Sequence, residues 1–383
     1  MENPTVQDIF HSFYLKYLDR YTPSAEQAKV SHCIMNCKTG AYGANVSVCE
    51  DCGHLQIHYN SCRNRCCPMC QALPTEKWMD SQREDVLEAP YFHVVFTVPQ
   101  ELNPLIYCNQ KLLYDALYHS VSSTINELAE DEKYLGAKVG YICILHTWGS
   151  EMNFHPHIHV ILLGGGLTAK NQWRDKGEEF FFRVKVLSEF LRGKYLDELK
   201  TLWKNKKLHF HGSSEKYRNH YAFKELINIC YEKDWIPHCK KAFNGAQSVI
   251  HYLGKYIHRI AISNRRIIRM DENTVTYYVK DYREAGKWKA LTIPGVEFIR
   301  RFLMHVPPKR FVRIRHYGLL CTRSKTKHLT LCRNLLGCRQ YLSRLKNMET
   351  TQILETLYGI KVSVCKCCGG HLGKPQQRIP LRI

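Results

Sequence analysis

Apolar residues recur with two different periods along this chain, and the periods predict where helices and strands lie. Helical spacing marks the segments 1–30, 110–130, 186–204 and 246–260. Alternating or continuous apolar runs of strand type mark the segments 91–98, 138–148, 155–163, 266–270, 275–281 and 288–292. Because only 149–154 separates two long strands, an antiparallel hairpin is expected there. The pattern predicts a chain in which strands alternate with helices and two long strands form an antiparallel hairpin.

The segment 31–73 breaks this pattern, because it has little apolar periodicity and holds eight of the 18 cysteines. Two knuckles of the form Cys-x2-Cys supply four candidate ligands, which are Cys49, Cys52, Cys67 and Cys70. Four thiolates at this spacing can surround one structural Zn²⁺ and leave no open position for a substrate. A second set of thiols keeps a second zinc open, and its members are Cys33, Cys37, Cys62 and Cys66. We expect a zinc-ribbon-like module with one or two zinc ions.

A further knuckle lies near the C-terminal end, where Cys365-x2-Cys368 precedes two glycines and has Cys367 and His371 nearby. One knuckle alone cannot complete a tetrahedron of ligands. The missing ligands could come from other cysteines of the C-terminal region, which are Cys321, Cys332 and Cys338. This group is a candidate minor metal site.

The charge balance indicates a polyanionic partner. There are 55 Lys+Arg against 35 Asp+Glu, which gives a formal net charge of +20. Such a surplus favours nucleic acid, whose phosphates release counterions when basic side chains neutralise them. The segment 298–348 has no Asp or Glu but 13 Lys+Arg, with Phe311, Tyr317 and Tyr341 interspersed. We expect it to form a DNA track within a basic α/β C-terminal region.

Targeting patterns point to the cell interior. Residues 1–13 have no basic region followed by an apolar run, so a secretory signal is not expected. No stretch approaches the roughly 18–20 apolar residues of a membrane span. Thiols stay reduced in the cytoplasm, where clustered cysteines suggest metal binding rather than disulfides. We therefore expect a cytoplasmic protein.

Three histidines alternate on a strand-like segment, His155-Pro156-His157-Ile158-His159. Residues two apart share one face of a strand, so these three imidazoles should point the same way. Such a face can coordinate a divalent metal. Imidazole binds Mn²⁺ as well as zinc, whereas Mg²⁺ is a harder ion that imidazole suits less well. His146, on the preceding strand, is a reserve ligand. The segment predicts a metal site without naming a reaction.

Two tyrosines, Tyr252 and Tyr256, lie four residues apart in the predicted helix 246–260. This spacing puts both phenols on one helix face, about 6 Å apart. Such a pair could attack two phosphodiesters in turn, with Lys255 and Arg259 stabilising phosphate charge. Paired aromatics at this spacing more often pack in a core. Only their combination with the histidine strand and the basic surplus favours nucleophiles.

Together these motifs resemble a known family. The histidine segment 155–159, followed by Gly164-Gly165-Gly166, resembles the HUH motif (His, hydrophobic, His) of rolling-circle nucleases. The segment 252–266, YLGKYIHRIAISNRR, resembles the two-tyrosine transposases of rolling-circle bacterial insertion sequences. The segment 59–71, YNSCRNRCCPMCQ, resembles their zinc-binding domain, although family members more often have a histidine where Cys66 stands. The resemblance covers roughly residues 30–270. It implies an α+β fold, with a small antiparallel sheet that carries the histidines on a central strand and the tyrosines on a neighbouring helix.

The resemblance implies a transposase that cleaves and rejoins single-stranded DNA at transposon ends and target. One tyrosine would attack a phosphodiester, leaving a 5′-phosphotyrosine link and a free 3′-OH, and the second would treat the target strand the same way. Mg²⁺ or Mn²⁺ would be held by His157, His159 and a third ligand. We choose His155 as that ligand, with Gln247 and His251 as alternatives. The expected DNA-binding residues are Lys255, Arg259, Arg265, Arg266, Arg63 and Arg65.

The expected organisation has four parts along the chain. They are an N-terminal helical segment (1–30), a zinc-binding module (31–73), an HUH two-tyrosine nuclease/transposase domain (74–270) and a basic C-terminal region (271–383). The family implies a bacterial, nucleoid-associated protein. Two alternatives stay open, a zinc-finger regulator with an inactive catalytic domain and a plasmid replication initiator or relaxase. The second usually lacks the cysteine module.

Overall fold

A computed structural model describes residues 3–177, 182–235, 238–242, 254, 261–281, 284 and 286–378. The helices of these residues are α1 (Val6–Leu18), α2 (Ala25–Met35), α3 (Ala72–Arg83), α4 (Asn103–Cys108), α5 (Gln110–Glu130), α6 (Val184–Lys204), α7 (His220–Glu232), α8 (Gly295–Leu303), α9 (Lys325–Leu336) and α10 (Thr350–Tyr358). Among them, none has the length and apolar character needed to cross a membrane.

The strands of the described residues form three separate sheets. They are β1 (Ala44–Val48), β2 (Leu55–Tyr59), β3 (Tyr91–Thr97), β4 (Lys138–Trp148), β5 (Phe154–Leu167), β6 (Trp173–Asp175), β7 (His238–Ala242), β8 (Ile267–Met270), β9 (Thr274–Asp281), β10 (Lys287–Pro294), β11 (Ile314–Gly318) and β12 (Gln376–Arg378). The predicted α+β fold with an antiparallel sheet is confirmed.

The main sheet is antiparallel, with strand order β11-β4-β5-β3-β7 and β6 paired to β5. A short turn joins β4 to β5, as the hydrophobic pattern predicts. Because β5 lies between β4 and β3, side chains from three strands meet over it. The histidine segment of the sequence lies on this central strand.

The two faces of the main sheet differ because side chains alternate across a strand. One face packs against α5 and α6, and its strand residues are Phe92, Val94, Phe96, Tyr141, Cys143, Leu145, Ile158, Val160 and Leu162. Full burial of each such side chain contributes about 1.5–3 kcal/mol. The opposite face packs Ile142, Ile144 and Ile161 against Leu320 and Leu329. Nearer the β4–β5 turn, the same face is polar and carries the histidines.

Helix α1 packs against α8 and the small sheet β10-β9-β8. A capping box between Thr5 and Asp8 begins the helix. The approach to α8 is so close that a Cβ added at Gly295 would lie 2.4 Å from the Phe13 ring. The predicted N-terminal helical segment 1–30 contains α1 and the first part of α2. Helix α1 shares a core with residues beyond 270.

Distant segments of the chain share sheets across the boundaries of the four predicted parts. The strand β12 pairs with β1 of the cysteine module, and β11 pairs with β4 of the main sheet. The boundaries at 30, 73 and 270 thus do not separate independent packing units. Pairing between distant segments leaves no periodic signal in a sequence, so the hydrophobic pattern could not reveal it.

The predicted tyrosine helix 246–260 lies outside the described residues except for Gly254. Gly254 lies against α3, where an added Cβ would come within 1.8 Å of the Met79 Sδ. Tyr252 and Tyr256 themselves are not among the described residues. Their roles stay predictions.

Candidate metal centre and DNA-binding cleft

Three histidines from the two long strands converge at the polar end of the main sheet. His146 of β4 lies directly opposite His157 of β5, and His159 follows two residues along. Their ligand nitrogens all lie within 4.8 Å of one another. All three side chains are buried, His146 at 2% exposure and the other two at 8%. These residues form the histidine triad.

Hydrogen bonds fix the nitrogens that the triad presents. The Nδ1 of His157 lies 2.7 Å from the carbonyl oxygen of His155, so this nitrogen carries a proton and donates it. The Nε2 of neutral His157 therefore holds a lone pair, and it lies 3.0 Å from the Nε2 of His159. Nitrogens this close share either a proton or a cation. An ion with bonds of about 2.1 Å would hold neighbouring ligands about 3.0–3.4 Å apart.

Burial keeps His157 and His159 uncharged. It lowers the pKa of His157 to about 3 and lowers the pKa of His159 well below its usual range, with nearby imidazoles adding to both effects. Neutral imidazole is the form that binds metals. The triad therefore offers lone pairs to a divalent cation near neutral pH, and its geometry and donor type fit one.

A fourth histidine, His93 of β3, supports the triad and was missed in the sequence. Its Nε2 lies 2.8 Å from the Nδ1 of His159, and the two rings are stacked with centroids 5.1 Å apart. A hydrogen bond to the outer nitrogen orients a metal-binding imidazole. The available signal was one polar residue in the apolar run of β3, which equally suits a core histidine.

The strand register favours His146, rather than the predicted His155, as the third ligand. Among the described residues, the group with converging nitrogens contains His146 instead. His146 lies directly across from His157, and cross-strand neighbours have Cβ atoms about 4.5–5.5 Å apart, closer than residues two apart on one strand. His155 contributes its carbonyl oxygen to the site. The alternatives Gln247 and His251 lie outside the described residues.

A cleft of about 470 Å³ opens over the triad. Besides the triad, its lining residues are His155, Trp148, Gly149, Ser150, Ala261, Ile262, Ser263, Arg266, Lys280 and Trp288. The hairpin of β9 and β10 thus forms a wall beside the histidines. The structure brings one predicted DNA-binding residue, Arg266, into the cleft.

The hairpin wall combines cations with an exposed aromatic ring. Trp288 of β10 is 55% exposed, and the Lys280 Nζ lies 5.2 Å from its ring centroid. The Arg266 guanidinium lies 5.8 Å from the same ring and donates to the carbonyl oxygens of Tyr278 and Ser150. Arg266 therefore braces the wall as well as lining it. Lys280 and Trp288 were missed because alternation in a short strand does not show what it faces.

The other predicted DNA-binding residues are spread out. Arg63 is exposed beside the cysteines, and Arg265 is exposed in the turn before β8. Arg65 donates to the carbonyl oxygens of Phe311 and Pro308, at 2.6 and 3.3 Å, so it also anchors the module to the chain beyond α8. Lys255 and Arg259 lie outside the described residues.

The cysteines form two groups that differ from both predicted sets. The first group is Cys37, Cys62, Cys67 and Cys70, with sulfurs all within 4.8 Å of one another. Cys33 and Cys66 belong to neither group of the described residues. Cys66 is buried in the apolar cluster under α1, and burial raises the pKa of its thiol to about 11.

The second group joins the two ends of the described chain and is Cys49, Cys52, Cys365 and Cys368. This group differs from the predicted set, in which Cys49 and Cys52 share a metal with Cys67 and Cys70. The three cysteines considered as partners of the C-terminal knuckle, Cys321, Cys332 and Cys338, are likewise outside the group. Spacing identified the knuckles correctly, but the choice of partners depends on tertiary folding.

The predicted DNA track at 298–348 also needs correction. Arg300 and Arg301 both pair with Glu297, just before the acid-free segment, and this lowers the pKa of Glu297 to about 2. Arg313 is buried, and Arg315 pairs with Asp115. Much of the basic segment therefore neutralises acids from other segments or packs inside the protein.

An antiparallel sheet with buried histidines around Ile158 on its central strand, behind a cysteine-rich module, defines the HUH class of DNA-processing proteins. A family model described as "Putative transposase" matches residues 140–328, and one described as "Transposase zinc-binding domain" matches residues 9–98. The chain belongs to the two-tyrosine transposase family of IS91-type, rolling-circle insertion sequences, whose members act in DNA transposition.

Two curated relatives agree with this membership. The "Putative transposase y4qJ" of Sinorhizobium fredii is 38% identical over 336 residues, covering 87% of this chain and 84% of the relative. The transposase for insertion sequence element IS801 of Pseudomonas savastanoi pv. phaseolicola is 28% identical, covering 76% of this chain and 69% of the relative.

Among solved structures, a copper-bound conjugative relaxase TrwC in complex with oriT DNA is similar over 52% of this chain and 69% of the relaxase. The identity is 14% and the TM-score is 0.26, so this likeness carries no argument about the site.

Proposed function

We propose that the chain cuts and rejoins single-stranded DNA through 5′-phosphotyrosine intermediates during rolling-circle transposition of its insertion sequence. The observation that carries this proposal is the buried histidine triad at the base of a cleft lined by Arg266, Lys280 and Trp288. A site for a divalent ion beside cations and an exposed aromatic ring suits a phosphodiester next to an unstacked base.

The triad residues His146, His157 and His159 would hold Mg²⁺ or Mn²⁺. A bound divalent ion supplies Lewis acidity toward a phosphoryl oxygen. The chain contributes by holding three imidazoles in place through burial, through the carbonyl of His155 and through His93. Imidazole ligands suit Mn²⁺ better than Mg²⁺.

Tyr252 and Tyr256 are the proposed nucleophiles. The phenolic oxygen of one would form a bond to phosphorus as the bond from phosphorus to the 3′-oxygen breaks. The phenolic proton passes to a base, and the departing 3′-oxygen takes up a proton. The freed 3′-OH can later attack a phosphotyrosine and restore the phenol, so the bond energy is conserved without an external cofactor.

The residues after the tyrosine segment support its assignment to the cleft. Ala261, Ile262 and Ser263 line the cleft, and Ala261 comes five positions after Tyr256. Five residues span at most about 18 Å, so the connection limits how far the second tyrosine can lie from the triad. Lys255 and Arg259 flank that tyrosine in sequence and would neutralise the phosphate.

The test uses a single-stranded element end, labelled at either terminus, with Mn²⁺ or Mg²⁺. The 3′-labelled fragment should become attached to the protein, because the tyrosine takes the 5′-phosphate. The 5′-labelled fragment should be released with a free 3′-OH. Replacing both Tyr252 and Tyr256 by Phe should remove the adduct.

Tyr221→Phe is the matched control, because Tyr221 is 81% exposed on α7 and lines no part of the cleft. It should form the adduct like the unmodified chain. DNA binding without any adduct on any element end would favour a regulator and exclude cleavage by tyrosine.

A further inference from the structure

We propose that Cys49, Cys52, Cys365 and Cys368 bind a zinc ion that fastens the C-terminal segment of the chain to its N-terminal module. The matching zinc-binding family model ends at residue 98, so it includes only half of this ligand set. The proposal concerns a structural site and is independent of the tyrosine chemistry.

The four sulfurs have the separations of a tetrahedral zinc site. The Sγ of Cys49 lies 3.5 Å from that of Cys368, and the Sγ of Cys52 lies 3.8 Å from that of Cys365. Zinc–sulfur bonds of about 2.3 Å imply sulfur–sulfur distances of about 3.8 Å in a tetrahedron. Disulfide sulfurs would lie about 2.05 Å apart, so the thiols are not paired covalently.

The two knuckles have the same backbone structure although they come from opposite ends of the chain. Gly53 follows the first knuckle with φ +70° and donates from its N–H to the Cys49 carbonyl at 3.0 Å. Gly369 follows the second with φ +77° and donates to the Cys365 carbonyl at 3.0 Å. Such left-handed turns favour glycine. Two matching turns presenting four thiols form a closed, ribbon-like ligand set.

Backbone donors favour thiolate in the C-terminal knuckle. The N–H of Cys367 lies 3.3 Å from the Cys365 Sγ, and the N–H of Gly370 lies 3.4 Å from the Cys368 Sγ. Zinc binds the thiolate form, so these contacts prepare the site for metal.

Packing around this group is too small to hold the segment without metal. Its apolar cluster among the described residues consists of Cys49, Cys365 and Leu372. Backbone pairing adds to it, because β12 pairs with β1 and the Gly373 N–H donates to the Val48 carbonyl at 2.9 Å. Small modules with little core usually need a metal or disulfide. The strands of the main sheet lie between the two knuckles in sequence. Zinc bound here would therefore cross-link the chain on either side of them.

The test is the metal content of the full chain. Zinc analysis should give two ions per chain for the unmodified protein, one for each cysteine group. Cys365→Ser combined with Cys368→Ser should give one. The matched control is Cys321→Ser combined with Cys367→Ser, which changes two exposed cysteines outside both groups and should keep two ions.

Two further readouts keep the proposal testable if a variant misfolds. Co²⁺ titrated into the zinc-free unmodified chain should show tetrathiolate absorption that saturates at two equivalents. Hydrogen exchange in β12 and β1 should become faster in the Cys365/Cys368 variant, whereas β4 and β5 stay protected. Saturation at one equivalent, or two zinc ions in that variant, would overturn the proposal.

Discussion

His157 and His159 each use their outer ring nitrogen to hold the inner one in place. The carbonyl of His155 fixes His157, and His93 fixes His159. Burial then removes competing water and keeps both rings neutral. The inner nitrogens are thereby aimed at one point before any ion arrives, which limits the cost of ordering them on binding.

The choice of third ligand can be tested with a pair of alanine variants. His146→Ala should weaken Mn²⁺ binding by more than about 100-fold, because even an outer partner of a metal ligand typically contributes about 10–100-fold. His155→Ala should change it only slightly, because its backbone carbonyl is retained. Titration followed by electron paramagnetic resonance measures both affinities. Strong loss in His155→Ala with little loss in His146→Ala would contradict the assignment.

The role of His93 can be separated from simple packing. His93→Phe keeps a flat ring to stack on His159 but cannot accept or donate a hydrogen bond, so Mn²⁺ affinity should fall by about 10–100-fold. His93→Gln offers both kinds of group and should recover most of that loss. The readouts are Mn²⁺ affinity and thermal unfolding without metal. If Mn²⁺ affinity were equal in the Phe and Gln variants, a hydrogen bond from residue 93 would not be positioning His159.

At the scale of elements, the β9–β10 hairpin matters more for the cleft than the long basic segment does. The hairpin brings Lys280 and Trp288 to the triad, whereas Arg300, Arg301 and Arg315 are occupied by carboxylates. The Glu297 pairs lie within one helix, but a charge count along the sequence cannot reveal that Arg315 pairs with the distant Asp115. Exposure and location decide which cations can meet DNA.

Removal of the exposed ring tests the proposed DNA-binding wall. Trp288→Ala should weaken single-stranded DNA binding by about 1–3 kcal/mol, the usual contribution of one base stacked on an aromatic ring. Fluorescence anisotropy with an oligonucleotide at fixed salt measures the change. Tyr221→Ala, an exposed aromatic on α7, is the control and should bind normally. An unchanged DNA affinity in Trp288→Ala would show that no base stacks on this ring.

Hydrophobic period predicted the central elements well, since β3, β4 and α5 lie within the expected segments and β5 extends the expected segment 155–163 at both ends. It also put His157 and His159 on the same face of one strand. It could not identify the neighbours of these two histidines. The β4–β5 register places His146 beside them, and the β3–β5 register does the same for His93. The sequence could not identify which cysteines share a metal for the same reason. Local pattern fixes the face of a strand, while register and long-range pairing fix what meets there.

The whole molecule is connected across the predicted boundaries. The strand β11 completes one edge of the main sheet, and β12 joins the cysteine module. The N-terminal helix α1 shares a core with α8. Chain segments that lie far apart in sequence therefore pack together. Substitutions near the C-terminal end should change the stability of the cysteine module.

Metal removal should separate two kinds of site in the whole molecule. Mild dialysis against EDTA should remove a divalent ion from the triad and stop adduct formation, while the thiolate groups keep their zinc. Mn²⁺ alone should then restore the reaction. A thiol-specific reagent should instead release zinc and lower the thermal unfolding temperature, because structural zinc contributes directly to folding. Activity that survives EDTA unchanged would contradict a divalent ion at the triad.

The most direct measurement is to identify the amino acid joined to DNA. After reaction with a single-stranded element end, nuclease and protease digestion should leave a peptide carrying a 5′-linked nucleotide, and fragmentation locates the modified residue. The account predicts a phosphotyrosine at Tyr252 or Tyr256, and no such peptide from the His157→Ala variant, which should still fold. A covalent link to any other residue, or cleaved DNA with no linked peptide, would contradict it.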